Sequence, residues 1–299
     1  MGWKYGLGLL LTAMILMLFC SCEKGESASG DDKPIEGTGH LITLRAVLPA
    51  NIYYENEEPE AQPASLGEYL TNITFAIFQD DQRLYISHQQ AGGSNYGTYQ
   101  VRLEPGTYQL VAIAHNGADH PTVSKPNEIK FANNKVTETF YAYTTLEVSS
   151  QMDRTITLER AVAKVQYYCK DPIPADVAQM KFYYTGGSST FDATTGFGCV
   201  NSRQTEYREI TAEMIGHPVV FPIFTFPHDT EGQLKLVVTA LDSGGNELRE
   251  ATYQTVPIAL NEVTVMEKYF FTQSDYTETT EIEFTLRNEG DWSQINMAY

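Results

Sequence analysis

Apolar side chains recur at every second position along most of this chain. That spacing commits it to β-strands, because successive side chains of a strand point to opposite faces. Ile42, Leu44, Ala46 and Leu48 share one face, and Tyr99, Val101 and Leu103 alternate with Gln100 and Arg102. Tyr108, Leu110, Ala112 and Ala114 repeat the pattern, as do Ala161, Ala163, Val165 and Tyr167. Asn72–Phe78 is instead apolar on both faces, which predicts a central strand. Helical spacing is nearly absent, apart from a short turn expected over Ser65–Leu70. Turn residues punctuate the strands at Asp80-Asp81, at Pro105-Gly106, where a positive φ is expected at the glycine, and at Asp242–Asn246. The last joins Gln233–Leu241 to Glu247–Tyr253 as the clearest hairpin. Pro222 assigns the middle of Val219–Phe226 to a sheet edge or a bulge. With about seven short strands per unit, the pattern predicts an all-β chain of two tandem sandwiches, residues 40–150 and 151–299.

Ahead of the first strand, Lys4, the apolar run Leu7–Phe19 and Ser21 compose a secretory signal over residues 1–21. The run is shorter than the roughly 18 residues a spanning helix needs. Ser21-Cys22 resembles a lipobox, in which a small residue precedes a cysteine that is acylated and becomes the first residue of the mature protein; Phe19 before Cys20 does not suit that role. Lipidation is therefore expected at Cys22. Residues 22–39 are polar and rich in Gly, Ser and Asp, and read as a flexible tether. Losing Lys4, the one charged residue of positions 1–21, takes the formal charge from −18 to −19. A chain this acidic has no basic surface for nucleic acid, and an anionic membrane repels it except through its lipid.

The residues that could carry chemistry are few. Cys169 and Cys199 lack CxxC spacing; in an exported protein they are either a disulfide pair or two buried free thiols. His115 and His120, on a strand end and the loop after it, lack zinc-ligand spacing and read as surface or loop histidines. Gly186-Gly187-Ser188-Ser189 is not followed by the Gly-Lys-Ser/Thr of a phosphate loop. No nucleophile motif, metal site or cofactor is expected, and the chain reads as a non-enzyme.

Four stretches are similar in wording to the fimbrillin superfamily of Bacteroidales-type fimbriae, and within it to the FimB-like anchor and accessory subunits. They are Leu103-Glu-Pro-Gly-Thr-Tyr-Gln-Leu-Val-Ala112, Thr157-Leu-Glu-Arg-Ala-Val-Ala-Lys-Val165, Tyr184-Thr-Gly-Gly-Ser-Ser-Thr-Phe191 and Val256-Pro-Ile-Ala-Leu-Asn261. The resemblance implies transthyretin-like Greek-key sandwiches, with the first stretch a strand–Pro-Gly–strand hairpin and the second an interdomain strand. It further implies an outer-membrane, surface-exposed lipoprotein that assembles with other fimbrial subunits by strand exchange and supports cell adhesion. In the polymerising members an Arg-directed protease removes the first strand; Arg45 is the one arginine of that strand here. A cut there would release Ala46 onwards from the lipid, whereas an anchor keeps both. Near the other end, Ile282, Phe284 and Leu286 alternate as a donor strand or as a strand of their own sandwich. Two alternatives stay open: a polymerising stalk or tip subunit matured after Arg45, and a surface lipoprotein that binds glycans. Neither the adhesion ligand nor the fimbrial partner is named by the sequence.

Overall fold

The computed structural model describes residues 35–49, 65–272 and 285–287. Its first strands are β1 (His40–Val47), β2 (Asn72–Gln79), β3 (Gln82–Gln90), β4 (Thr98–Leu103), β5 (Gly106–His115), β6 (Thr122–Lys125), β7 (Glu128–Lys130), β8 (Thr139–Val148), β9 (Met152–Thr157) and β10 (Glu159–Arg160). One helical turn, α1 (Leu66–Tyr69), lies between β1 and β2, inside the span expected for it. A three-stranded sheet in the order β4-β1-β9 packs on a five-stranded sheet in the order β10-β8-β5-β2-β3. The apolar stripes meet between them: Ile42, Leu44, Val101 and Ile156 from one sheet, Ile73, Phe75, Leu110 and Leu146 from the other. Burying each such side chain stabilises the fold by roughly 1.5–3 kcal/mol.

The remaining strands are β11 (Ala163–Cys169), β12 (Gln179–Thr185), β13 (Thr190–Asp192), β14 (Phe197–Gly198), β15 (Arg203–Glu209), β16 (Val219–Thr225), β17 (Glu231–Leu241), β18 (Glu247–Ala259), β19 (Val263–Lys268) and β20 (Thr285–Arg287). Sheets ordered β16-β11-β19-β20 and β15-β12-β17-β18 enclose a second core around Tyr167, Phe182, Tyr184 and Leu236. Pro222 sits in β16, the edge strand, where its missing N–H interrupts no ladder. The β17–β18 turn closes as its residues require: the Asp242 carboxylate accepts from the Gly244 and Asn246 N–H groups at 2.9 and 2.8 Å, and Gly245 takes φ +79°.

A fifth sheet, β14-β13-β7-β6, draws strands from both halves of the sequence, with Phe191 of β13 opposite Ile129 of β7. It covers the outer face of the five-stranded sheet. There Phe78, Val111, Phe131, Phe191 and Phe226 form a third core. This second apolar contact is why Asn72–Phe78 carries no polar face: β2 lies between β5 and β3 with cores on both sides.

The expectations of a hairpin over Leu103–Ala112 and of a positive φ at Gly106 are corrected. Leu103–Ala112 is not a hairpin, because β4 pairs with β1 in one sheet and β5 with β2 and β8 in the other. The Pro105-Gly106 step is a corner between layers, closed by the Tyr108 hydroxyl donating to the Glu104 carbonyl at 3.0 Å, and Gly106 is not among the positive-φ residues. Residues 36–39 are also docked: the Arg102 N–H donates to the Glu36 carbonyl at 2.8 Å. The strands just after residue 151 bond backwards, β9 parallel to β1 and β10 antiparallel to β8.

Candidate functional site

The first strand holds the one proposed processing residue, and the fold places that strand in the middle of its sheet. β1 pairs antiparallel with β4 from His40↔Leu103 to Arg45↔Thr98, and parallel with β9 from Ile42↔Met152 to Val47↔Thr157. Ile42 and Leu44 point inward and are fully buried; Arg45 points outward and pairs with Asp153 at 2.7 Å. Both partners of that pair are well exposed, so it contributes at most about 1 kcal/mol. What holds Arg45 is its strand, which has a ladder on each side.

The approach to β1 is shaped by two glycines. Gly37 and Gly39 adopt φ +89° and +90°. A Cβ on Gly37 would lie 2.1 Å from the Arg102 carbonyl oxygen, and one on Gly39 2.3 Å from that of Leu103. Gly37→Ala is expected to cost about 1–2 kcal/mol locally, through the left-handed backbone and the lost fit. Faster hydrogen exchange at the Arg102 amide, with an unchanged global unfolding midpoint, is the expected readout.

The other expected site residues are scattered. Cys22, Ile282 and Phe284 lie outside the described residues. Leu286 falls in β20, whose backbone pairs antiparallel with β19 of the same chain, Leu286 opposite Thr264. Cys169 and Cys199 are both free thiols, so the candidate disulfide is absent. The reason is their placement: the Cys169 sulfur is held 3.7 Å from the Asp171 carbonyl, within the second core, while that of Cys199 lies 3.6 Å from the Thr190 carbonyl beside the fifth sheet. Burial pushes the Cys169 thiol up to about 12, which leaves it inert. Gly186-Gly187-Ser188-Ser189 forms another corner. Gly186 takes φ +101°, a Cβ on Gly187 would meet the Thr225 hydroxyl at 2.1 Å, and the Ser188 hydroxyl donates to the Thr190 carbonyl at 2.6 Å.

Arg160 and His115 are among the buried polar residues that escaped the sequence reading. Arg160, its side chain 1% exposed, donates to the Glu138 carboxylate at 2.9 and 3.2 Å and to the Asn261 side-chain carbonyl at 2.9 Å. Its guanidinium also lies 4.6 Å from the Phe140 ring centroid and donates to the Tyr69 hydroxyl at 3.3 Å. Tyr69 in turn donates to Glu138 at 2.7 Å, and burial, then that carboxylate, hold its phenol well above the usual range. One arginine thus joins α1 and β8 to the turn between β18 and β19. The signal was present as a cation placed directly before the apolar run Ala161-Val162-Ala163. The second is His115, fully buried at the end of β5 rather than a surface residue, because the Phe131 segment closes over it with ring centroids 5.4 Å apart. Among the described residues no group of three His, Cys, Asp or Glu side chains is placed to hold a metal.

A putative adhesin from Bacteroides ovatus is 13% identical, over 73% of this chain and 83% of its own, with a TM-score of 0.47. The fimbrial anchor protein Mfa2 from Porphyromonas gingivalis is 11% identical, over 77% and 91%, at 0.44. The tip fimbrial protein Mfa3 from Porphyromonas gingivalis, with a C-terminal truncation, is 8% identical, over 83% and 99%, at 0.34. No curated protein sequence matches the chain. The family model described as fimbrillin-A associated anchor proteins Mfa1 and Mfa2 matches residues 42–298. By that match, running over nearly the whole sequence, the chain belongs to the fimbrillin-A associated anchor protein family.

Proposed function

We propose that this protein is a fimbrial anchor or accessory subunit, lipid-attached to the outer membrane at Cys22, that keeps its first strand and engages other fimbrial subunits by strand complementation in cell adhesion. The observation that carries the reading is the seating of β1. A protease must draw several residues around its target into an extended, unpaired conformation. Arg45 offers that only if β1 leaves both β4 and β9 and carries Ile42 and Leu44 out of the core. Losing the strand would leave two edges about 10 Å apart, twice the strand spacing, over an apolar floor. An anchor that retains β1 retains the covalent path from Cys22 to the fold, while an incoming strand pairs with a free edge elsewhere on the sheets.

Mass spectrometry of the mature amino terminus from cells tests this directly. An acylated peptide beginning at Cys22 is the expected result; a terminus at Ala46 would mark a polymerising subunit and overturn the reading. A second test uses the purified protein. An arginine-specific protease should cut after Arg45 rapidly in urea, and in native buffer no faster than the strand opens. Equal rates in the two conditions would remove the structural basis for retention.

A further inference from the structure

Strand β8 leaves most of its outer edge without a ladder. β5 covers one side from Thr139 to Val148, while β10 pairs on the other side only with Phe140 and Tyr141. The Thr139 carbonyl is turned outward, since it accepts the Ala161 N–H at 2.9 Å, and so is the Thr145 carbonyl. By the two-residue repeat of an antiparallel ladder, Tyr143 and Glu147 also turn their N–H and C=O groups to this side. Along Tyr141–Thr144 the edge faces a groove of about 320 Å³, bounded also by Arg154–Thr157 of β9 and by Ala193–Thr195.

One side chain stands across that edge. Arg154 reaches from β9 to donate to the Thr145 carbonyl at 2.8 Å and to the Thr144 hydroxyl at 3.0 Å. Charged groups so placed are a known way to keep an exposed strand from pairing. The strand it guards is suited to pairing with itself. Residues 139–146, Thr-Phe-Tyr-Ala-Tyr-Thr-Thr-Leu, carry no charge, Gly or Pro in a chain of net charge −18. This is therefore a stretch where two copies can approach without repulsion. An antiparallel pair centred on Thr145 sets Thr145 against its twin and Tyr143 against Glu147 of the second copy. That gives Thr–Thr contact and no like-charge pair.

We infer that the β8 edge from Tyr143 to Glu147 is a docking edge for a second copy of this chain, and that Arg154 is the latch that keeps it closed. The test uses the full mature chain with Cys22→Ser, so that no lipid drives association, in reducing buffer because Cys199 is exposed. Sedimentation equilibrium should find this parent monomeric and the additional Arg154→Ala variant at twice the monomer mass. Arg154→Thr, which suits an edge strand, should behave alike and stands in if the alanine variant folds poorly. Adding Thr145→Pro removes an outward N–H that β5 does not use, and should return Arg154→Ala to a monomer without loss of circular dichroism. A folded Arg154 variant that stays monomeric overturns the inference, as it also would if the edge took a strand from a different polypeptide. A dimer that persists with Thr145→Pro overturns it too, since the contact must then lie elsewhere.

Discussion

Arg160→Met is expected to lower the unfolding free energy by roughly 3–5 kcal/mol, the usual cost of removing one partner from a buried ion pair. Methionine keeps much of the apolar stem and the contact with Phe140, so the loss reports the guanidinium rather than packing. It strands the Glu138 carboxylate, whose side chain is only 16% exposed, and leaves the Asn261 carbonyl without its donor. Asn261 takes φ +60° at the head of the turn into β19, and its N–H donates to the Val162 carbonyl at 3.0 Å. Losing the arginine should therefore raise hydrogen exchange in this turn more than in β17 or β18. Arg160→Lys should recover little, because a single ammonium cannot serve carboxylate, amide and hydroxyl in the fork geometry that arginine holds. Pairing Arg160→Met with Glu138→Gln should restore part of the loss, since the orphaned charge goes with it. Urea unfolding of the four proteins measures all three effects. A loss below about 1 kcal/mol for Arg160→Met would falsify the idea that this residue ties the two sandwiches together.

The second large effect is acid sensitivity through His115. Its ring is fully buried, Nδ1 accepts the Gly117 N–H at 2.9 Å, and the proton of the neutral form therefore sits on Nε2. Burial, and then the neighbouring His120 ring, lower its pKa from 6.5 to about 4. His120 itself stacks on His88 at 4.6 Å, whose pKa burial also lowers. The sign follows from the depressed native value. Above pH 6.5 the ring is neutral in both states and its full contribution is present. Between 6.5 and 4 the unfolded chain binds a proton that the native protein does not, and stability falls as pH falls. The slope is about 1.4 kcal/mol per pH unit, so about 3 kcal/mol is lost by pH 4. Carboxylates titrate in the same range, so the discriminating quantity is a difference. The fall in urea midpoint from pH 7 to pH 4.5 should be markedly larger for the parent than for His115→Gln. Parallel falls would assign acid sensitivity to other groups.

How much of this was legible beforehand differs from residue to residue. Alternation alone places Ile42, Leu44, Val101 and Leu110 each on the apolar face of its strand, and each is fully buried. Pro222 marked a sheet edge or a bulge because proline cannot donate, and Asp242–Asn246 a hairpin because its residues suit a tight turn; both are rules that act within a few residues. The corner at Pro105-Gly106 misled for the complementary reason. A turn signal says that the chain bends, and not whether the next strand pairs in the same sheet or starts another layer.

Local pattern therefore determined the strands, their inward faces and the acidic composition. Each depends only on side-chain chemistry and spacing within a short window. The tertiary structure alone decided that β1 lies between β4 and β9, that the fifth sheet is shared between the two halves, and that Arg160 and His115 are buried. It also decided that Cys169 and Cys199 stay apart and that Arg154 spans the open edge of β8. Those outcomes hang on partners distant in sequence: Leu44 meets Arg154 in the parallel ladder, and Arg160 meets Asn261. No short window holds both members of such a pair. The physical reason is that a backbone N–H will bond any carbonyl the fold delivers, so pairing is chosen by the packing of whole layers rather than by the strand that is paired.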